Sequence, residues 1–224
     1  MAAESSAPPV VVIAVDGAAA SGKGTLARWL ARHFGYAHLD TGLLYRATGL
    51  ALIRAGKSPD DETAAIEAAG GLDPSALDDA ALRGEEVAAA ASTVAAIPGV
   101  RAALLGFQRR FAAAPPGGKP GAVLDGRDIG TVICPDATHK IFVEASIEVR
   151  AARRVKELRE SGADAIHARV LRDMKARDAR DRHRSVAPLT KASDAFLLDT
   201  TELDADGVFA AALDFIMSRT PSGV

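Results

Sequence analysis

Five short apolar runs punctuate the chain, and none of them alternates cleanly between apolar and polar positions. Runs of this kind are typical of β-strands that are buried on both faces of a sheet. Helical stretches lie between them, and this alternation favours a parallel sheet with right-handed crossovers. We therefore predict a three-layer α/β fold, with a five-stranded parallel sheet flanked by helices. The predicted strands are Val10–Val15, Ala37–Leu39, Ala122–Leu124, Lys140–Ala145 and Ala195–Leu198.

Four of the five runs lead directly into a polar cluster. In open α/β sheets, ligands bind outside the carboxyl ends of the strands, so we expect the chemistry to gather at that edge. The clusters are Asp16-Gly17, Asp40-Thr41-Gly42, Asp125-Gly126-Arg127-Asp128 and Asp199-Thr200-Thr201.

Two regions are longer than a crossover helix requires. Residues 43–112 are largely helical and Ala-rich, and residues 150–186 are dense in arginine. We predict that the first is a helical insertion and the second a lid, both closing over a ligand, within one domain spanning 1–224. The segment Ala113–Gly121 has the composition of a flexible connector. The predicted core consists of residues 10–42, 122–149 and 187–218.

Composition excludes several classes of function. A formal net charge of -2 over 224 residues gives no general basic field for nucleic acid, and 4% aromatic residues are too few for a surface of stacked bases. The N-terminus has no basic region before its short apolar run, and no stretch approaches the roughly 20 apolar residues of a membrane span. The lone Cys134 permits no intramolecular disulfide, and the five histidines have no metal-ligand spacing. We expect a cytoplasmic protein that binds neither nucleic acid nor membrane.

The clearest motif lies between the first strand and a predicted helix over Thr25–Phe34. Two glycines, Gly17 and Gly22, permit a backbone that turns successive N–H groups inward, and the helix N-terminus adds partial positive charge. Lys23 supplies a mobile cation for the β- and γ-phosphates of a nucleotide. We predict a P-loop that binds ATP through Gly17, Ala18, Ala19, Ala20, Ser21, Gly22, Lys23, Gly24 and Thr25.

Several motifs, in order along residues 10–217, resemble those of bacterial cytidylate kinases. The P-loop ends Gly-Lys-Gly-Thr, as in nucleoside monophosphate kinases. Asp40 to Arg46 resembles the D-[ST]-G-x-x-Y-R segment of the family, and Asp125 to Val132 resembles D-G-R-D-x-G-T-V. The helical run from Ala91 to Arg109 resembles the CMP-binding segment, and Arg177 to Leu189 resembles the lid together with the short segment after it.

The resemblance implies a kinase that moves the γ-phosphoryl group of ATP, bound with Mg²⁺, onto CMP or dCMP in a monomeric protein. It implies that Arg46 reaches the CMP phosphate, that Ser92, Arg101 and Asp128 hold cytosine and ribose, and that Thr41 lies near the base. Asp125 either holds the magnesium shell through water, together with Thr25, or caps the turn after its strand. The expected catalytic residues are Lys23, Arg46, Arg177 and Arg180. The expected substrate-binding residues are Thr41, Arg46, Ser92, Arg101, Arg127, Asp128, Arg177, Asp181 and Arg184.

The arginine-rich region supports an anionic ligand independently of any resemblance. Ile166, Val170 and Met174 recur every four residues and predict an inward helical stripe, which Arg177, Asp181 and Arg184 continue, with Arg180 one step aside. Between positions 169 and 184 there are seven Lys or Arg residues and three Asp residues. Unpaired buried charge is costly, so this face must meet either acidic partners or a polar cavity, and an anionic ligand is its natural partner. The alternatives are a helix break near Ala176 or a solvated face. Asp181 either orients the neighbouring arginines or accepts a hydrogen bond from the ribose.

Two departures from the family pattern bear on this hypothesis. Ala18 and Ala20 stand where many members have Pro and some have Gly, respectively. The segment Leu72–Val87 is short, acidic and without strand character, so we expect it to lack the small β-sheet insert of longer relatives.

Other functions remain open on the sequence. A different small-molecule kinase, such as an adenylate, shikimate or dephospho-coenzyme A kinase, shares the P-loop but not the two later motifs. A regulatory nucleotide-binding module without transfer activity is disfavoured by the arginine-rich lid. An RNA-binding role for residues 150–184 is disfavoured by the overall charge.

Overall fold

A computed structural model of the chain describes residues 10–73, 77, 80–160 and 162–219. Its strands form a parallel sheet of five, in the order β2-β3-β1-β4-β5. The predicted α/β class and the five strands are confirmed, with boundaries that shift by one or two residues. The strands are β1 (Val11–Gly17), β2 (Ala37–Asp40), β3 (Gly121–Gly126), β4 (His139–Glu144) and β5 (Phe196–Asp199).

The boundary shifts have one consequence for the site. Asp16, Asp40 and Asp125 belong to the last paired positions of their strands and do not lie beyond them, and Asp40 of β2 stands directly opposite Asp125 of β3. The polar clusters therefore share the rigidity of the sheet. The α-helices of the described residues are α1 (Lys23–Phe34), α2 (Thr41–Arg54), α3 (Glu62–Gly70), α4 (Glu85–Val94), α5 (Pro98–Ala113), α6 (Ile147–Glu160), α7 (His167–His183) and α8 (Ala205–Arg219).

The absence of alternation in the strands follows from burial on both faces. In β1, Ile13 and Val15 pack against α1 and α8, whereas Ala14 points to the opposite face and packs with Ala112 of α5. Ile129, in a short π-helical turn after β3, completes the second face. Each face carries its own apolar layer, so every position along the strand is apolar until the polar edge is reached.

The predicted insertion is a helical unit formed by α2 to α5. Its interior is built around Leu44, Leu52, Val94 and Leu104. None of the described residues between 72 and 87 lies in a strand; Ala80–Arg83 form a 3-10 turn, and residues 74–76 and 78–79 lie outside the described residues. The prediction that no β-insert occupies this segment holds for the residues described.

The predicted arginine-rich lid is the helix pair α6 and α7. Val170 and Met174 are buried as predicted, and α7 continues without a break past Ala176 to His183. The prediction for Ile166 is wrong, since this side chain is 61% exposed. Ile166 precedes the first turn of α7, so the helical repeat that places Val170 inward does not extend back to it.

No single helix of the described residues is long and apolar enough to cross a membrane. The helix α4 passes that test only together with the residues after it up to Gly118, and the pair is bent by 99°.

Close helix packing in the insertion depends on Gly49. A Cβ added there would lie 2.9 Å from the Cβ of Ala90 in α4. We predict that Gly49→Ala lowers the free energy of unfolding by about 1–3 kcal/mol, because α2 and α4 must separate. Denaturant unfolding would measure this. The control is Gly70→Ala at the end of α3, where a Cβ meets nothing within 4 Å; it should be neutral or gain up to about 1 kcal/mol from helix propensity. Equal effects of the two substitutions would contradict this account.

Candidate active site

The P-loop leaves β1 at Gly17 and enters α1 at Lys23. Gly17 has φ 155°, and a Cβ there would lie 2.3 Å from the carbonyl oxygen of Val143, so only glycine fits. Gly22 has φ 93° and forms the N-cap of α1. Ala20 also lies in the left-handed region, at φ 57°. An alanine in this conformation carries roughly 1–2 kcal/mol of strain, so the surrounding structure must hold it.

Cationic side chains from several elements converge above the loop. Burial and the nearby Arg127 lower the pKa of Lys23 to about 8. Burial, with the same neighbour, lowers the pKa of Arg177 to about 10. Burial and the charge of Arg154 lower the pKa of Arg46 as well. In all three cases, burial and neighbouring positive charge outweigh the effect of the nearby carboxylates.

Arg177 has a buried donor atom that the protein leaves unsatisfied. Its Nε atom is buried and has no hydrogen-bond partner among the described residues. Arg127, by contrast, donates from Nε to Asp181 Oδ2 at 2.9 Å. An anion placed between Lys23 and Arg177 would satisfy donors that the protein itself leaves open.

Two carboxylates lie on the other side of Lys23, at the ends of β2 and β3. Burial and the charge of Asp125 raise the pKa of Asp40. Asp125 pairs with His38 Nε2 at 2.8 Å, and its Oδ2 would lie 3.6 Å from a Cβ on Gly24. Asp125 therefore does not cap the turn after its strand.

A magnesium ion fits this corner. Asp40, Asp125 and the Thr25 hydroxyl are hard oxygen donors, and the mutual repulsion of the two carboxylates would be relieved by a cation. The described residues contain no group of three or more His, Cys, Asp or Glu side chains arranged to hold a metal by themselves. The remaining ligands would have to come from phosphate oxygens and water, as is usual for Mg²⁺.

A second polar pocket lies at the far end of the cavity. Asp128 accepts hydrogen bonds from Arg101 Nη2 and from Arg184 Nη2, the latter at 3.4 Å. The Arg101 guanidinium lies 5.5 Å from the centre of the Tyr45 ring. The pocket offers arginine donors and a carboxylate acceptor side by side, which suits a planar ligand with both kinds of group on one edge.

The lid contacts this pocket directly. Arg180 Nη1 donates to Ser92 Oγ at 3.0 Å, joining α7 to α4. Arg184 Nε donates to the Ala187 carbonyl at 2.5 Å. Although burial opposes it, the charges of Arg127 and Arg177 keep the pKa of Asp181 below its usual value. Arg127 thus helps to hold Asp181 as a carboxylate. The sequence had instead suggested that Asp181 interacts with the neighbouring arginines on α7.

One cavity of about 280 Å³ joins the P-loop to this second pocket. The structure brings most of the predicted site residues to its wall. Those lining it are Ala19, Ala20, Gly22, Lys23, Gly24, Thr25, Thr41, Arg46, Ser92, Arg101, Arg127, Asp128, Arg177, Asp181 and Arg184.

Five predicted residues do not line the cavity. Gly17, Ala18 and Ser21 support the loop from beneath, and the Ser21 hydroxyl is buried with no hydrogen-bond partner among the described residues. Asp125 is buried behind Gly24. The structure does not bring Arg180 to the phosphate-binding end: it is exposed and points from α7 towards Ser92 and a surface groove. A residue one step off the inward stripe faces the helix edge, so its guanidinium reaches α4 instead.

The model of the cytidylate kinase family matches residues 13–218. The chain belongs to the cytidylate kinase family. A cytidylate kinase of Paramagnetospirillum magneticum is 62% identical over 93% of this chain and 98% of its own length. One of Rhodospirillum rubrum is 57% identical over 94% of this chain and 99% of its own.

Among solved structures, an uncharacterized protein from Eubacterium ventriosum superposes with a TM-score of 0.52 at 18% identity. The match covers 93% of this chain and 98% of the other. At this identity the likeness concerns the fold alone.

Several lining residues escaped the sequence analysis. Arg28 and Arg154 add cations, Glu157 pairs with Arg154, and Asp40 belongs to a cluster that was noted but given no role. Arg154 had a signal, since it lies in the arginine-dense region. His38 had none, because only strand pairing brings its ring to Asp125. Arg46 has an unexpected partner, since its Nη1 donates at 2.7 Å to the carbonyl of Leu82, in the 3-10 turn of the short segment between α3 and α4.

Arg177 and Arg184 have different partners, so their substitution should affect turnover alike but the stability of the ligand-free protein differently. We predict that both Arg177→Met and Arg184→Met lower turnover. Arg177→Met should leave the ligand-free melting temperature unchanged or raise it, because it removes a desolvated cation whose Nε has no hydrogen-bond partner among the described residues. Arg184→Met should lower the free energy of unfolding by about 1–3 kcal/mol, because it loses bonds to Asp128 and Ala187. Thermal and denaturant unfolding without ligand test this; equal destabilisation by both variants would refute it.

Proposed function

We propose that this protein transfers the γ-phosphoryl group of ATP to CMP or dCMP, giving ADP and CDP or dCDP. The observation that carries the proposal is the single cavity with a phosphate loop at one end and a donor–acceptor pocket at the other. Membership of the cytidylate kinase family supports it independently.

The donor end is the P-loop. Inward N–H groups, the N-terminus of α1 and Lys23 would bind the triphosphate. Magnesium, held by Thr25 and, through water, by Asp125, with Asp40 beside them, would neutralise charge on the bound phosphates.

The acceptor end needs no general base. The nucleophile is a phosphate oxygen of CMP, which is already anionic at neutral pH, so catalysis rests on positioning and on charge stabilisation. Arg46, Arg127 and Arg177 would hold the CMP phosphate in line with the γ-phosphoryl group. The guanidiniums of Arg46 and Arg177 are partly desolvated before substrate arrives, so they stabilise negative charge with little reorganisation.

The base pocket matches the hydrogen-bonding edge of cytosine. That edge has two acceptors, O2 and N3, and one donor, the 4-amino group. Arg101 can donate to the acceptors, Asp128 can accept from the amino group, and the Ser92 hydroxyl lies beside them. Uracil presents a carbonyl where cytosine has the amino group, and this would face the Asp128 carboxylate. Thr41, whose hydroxyl donates to the Asp125 carbonyl at 2.8 Å, would contribute its methyl group to the wall near the base.

Closure of the lid would keep water from the transferred group. The Arg180–Ser92 bond joins the predicted lid helix to the insertion at a residue of the cavity wall, Ser92. Water competes with CMP as an acceptor, so exclusion protects ATP from hydrolysis. We assign Arg180 to this closure in place of direct phosphate binding. We further expect a monomer that works in the cytoplasm and binds no nucleic acid.

The proposal predicts a narrow acceptor range. With ATP and magnesium, CMP and dCMP should be phosphorylated far better than AMP or GMP, because purines present a different edge and more volume to the Arg101–Asp128 pocket. A coupled assay of ADP formation with a panel of monophosphates measures this. Comparable activity with AMP would overturn the cytidylate assignment while leaving a small-molecule kinase; no activity with any monophosphate would favour a binding module.

The lowered pKa of Lys23 predicts proton uptake on ATP binding. In the free protein Lys23 loses its proton near pH 8, and the phosphates would return its pKa towards the usual 10.5. At pH 8.5, ATP binding should take up on the order of half to one proton, which calorimetry in buffers of different ionisation enthalpy detects. Lys23→Ala should abolish this uptake and reduce turnover by roughly 10²–10⁴. Uptake that persists in the variant would assign the proton to another group.

A further inference from the structure

The helix α6 supports the P-loop from below through two arginines. Arg150, only 4% exposed, donates to the carbonyl of Ala19 at 3.3 Å and to that of Ala145 at 3.0 Å. The same guanidinium makes a two-pronged pair with Asp178 of α7, at 3.2 and 2.6 Å. A single buried side chain therefore joins the P-loop, the end of β4 and the lid helix.

Arg153 reaches the P-loop through Thr200. Its Nη1 donates to the Thr200 hydroxyl at 3.0 Å and its Nη2 to the Thr200 carbonyl at 2.7 Å. The Thr200 hydroxyl in turn can donate its one proton to the Ser21 carbonyl at 3.0 Å or to the Glu144 carbonyl at 3.1 Å, and Arg153 Nη1 itself lies 3.5 Å from the Ser21 oxygen. The carbonyl of Ser21 is thus held facing α6 and β5, away from the cavity.

The two held carbonyls belong to the Ala19–Ala20 and Ser21–Gly22 peptide units, so the unit between them is the one that follows Ala20, the alanine in the left-handed conformation. Each carbonyl that points down towards α6 belongs to a peptide unit whose N–H points the opposite way, towards the phosphate site. Without these bonds, the strain at Ala20 would favour a relaxed loop in which the N–H groups no longer converge.

We propose that Arg150 and Arg153 are positioning residues for the P-loop. They hold the carbonyls of Ala19 and Ser21, and so keep the strained loop ready for the donor phosphates. Through Asp178, Arg150 also ties the loop to the helix turn that carries Arg177. The proposal rests on the proposed function only in taking the P-loop as the donor nucleotide site.

The donor-side effect should separate from the acceptor side. Arg153→Met removes the support of the Ser21 carbonyl without leaving a buried carboxylate unpaired. It should therefore weaken ATP binding about tenfold or more while changing the KM for CMP little. Thr200→Val, which removes the hydroxyl with almost no change in shape, should act in the same direction. Isothermal calorimetry with ATP and steady-state kinetics, both well below the melting temperature, measure these effects.

The decisive arm is rescue by glycine. Glycine adopts the left-handed conformation without strain, so Ala20→Gly should restore most of the ATP affinity lost in Arg153→Met or Thr200→Val. Ala187 also has positive φ, at 51°, but lies outside the P-loop; Ala187→Gly should give no rescue. Arg159→Met is the matched control on α6, since Arg159 is exposed and its hydrogen bond to the described residues goes to the Ala165 carbonyl, away from the P-loop. It should leave ATP affinity unchanged.

The tie to the lid has its own test. Asp178→Asn keeps the shape but weakens the pair with Arg150, so it should lower ATP affinity and also turnover at saturating ATP, because Arg177 is its neighbour on α7. If Arg153→Met and Thr200→Val lower only the melting temperature, or if Ala20→Gly restores nothing, the proposal is wrong. ATP affinity does not depend on the acceptor, so these results stand apart from the CMP assay that tests the proposed function.

Discussion

The crowding of partly buried cations at one edge of the sheet is the constraint around which this molecule is organised. Lys23, Arg46, Arg127 and Arg177 come from four separate places in the chain and meet at one edge of the sheet. Burial, and after it the positive charge of neighbouring arginines, lowers the pKa values of Lys23, Arg46 and Arg177. Such a cluster costs free energy in the ligand-free protein and is held only because a stiff parallel sheet and long helices anchor each residue. A polyphosphate ligand recovers that cost as binding energy and as stabilisation of the transferring group.

The acidic residues of the site have different roles because their surroundings differ. Asp128, between Arg101 and Arg184, is a fixed acceptor in the base pocket. Asp178 and Asp181 hold arginines and belong to the scaffold of the lid. Asp125 lies in the sheet beside Asp40, where their repulsion favours a cation. The same side chain thus serves recognition, structure or metal binding according to what its two oxygens already contact.

The P-loop gives a physical reason for one departure from the family pattern. An alanine at position 20 is strained at φ 57°, whereas a glycine would not be. The chain accommodates the alanine by packing its methyl group on the α6–α7 cluster and by fixing the carbonyls on either side. A stiffer loop results, since alanine has fewer alternative conformations than glycine. Precise phosphate binding then depends on α6, a helix that does not belong to the P-loop motif.

Local patterns in the sequence determined the elements of this protein and the class of its ligand. These patterns depend on residues that lie within a few positions of one another, so they can be recognised without knowing the fold. They are the five apolar runs, the glycines and lysine of the P-loop, and the inward stripe of α7. The prediction of an anionic ligand from Arg177 and Arg184 rests on such a local pattern. The resemblance to the cytidylate kinase family also rests on short local motifs.

Tertiary structure alone decided which side chains meet. His38 and Asp125 pair because β2 and β3 are neighbours, although they lie 87 positions apart. Arg150 contacts Ala19 across 131 positions, and Arg180 turned to Ser92 instead of the phosphates. These contacts depend on sheet order and helix packing, which sum over the whole core. No local spacing encodes them, and so Arg150, Arg153 and Thr200, which support the P-loop, were missed, as were Arg28 and Arg154 in the cavity wall, although most of the predicted site residues do line the cavity.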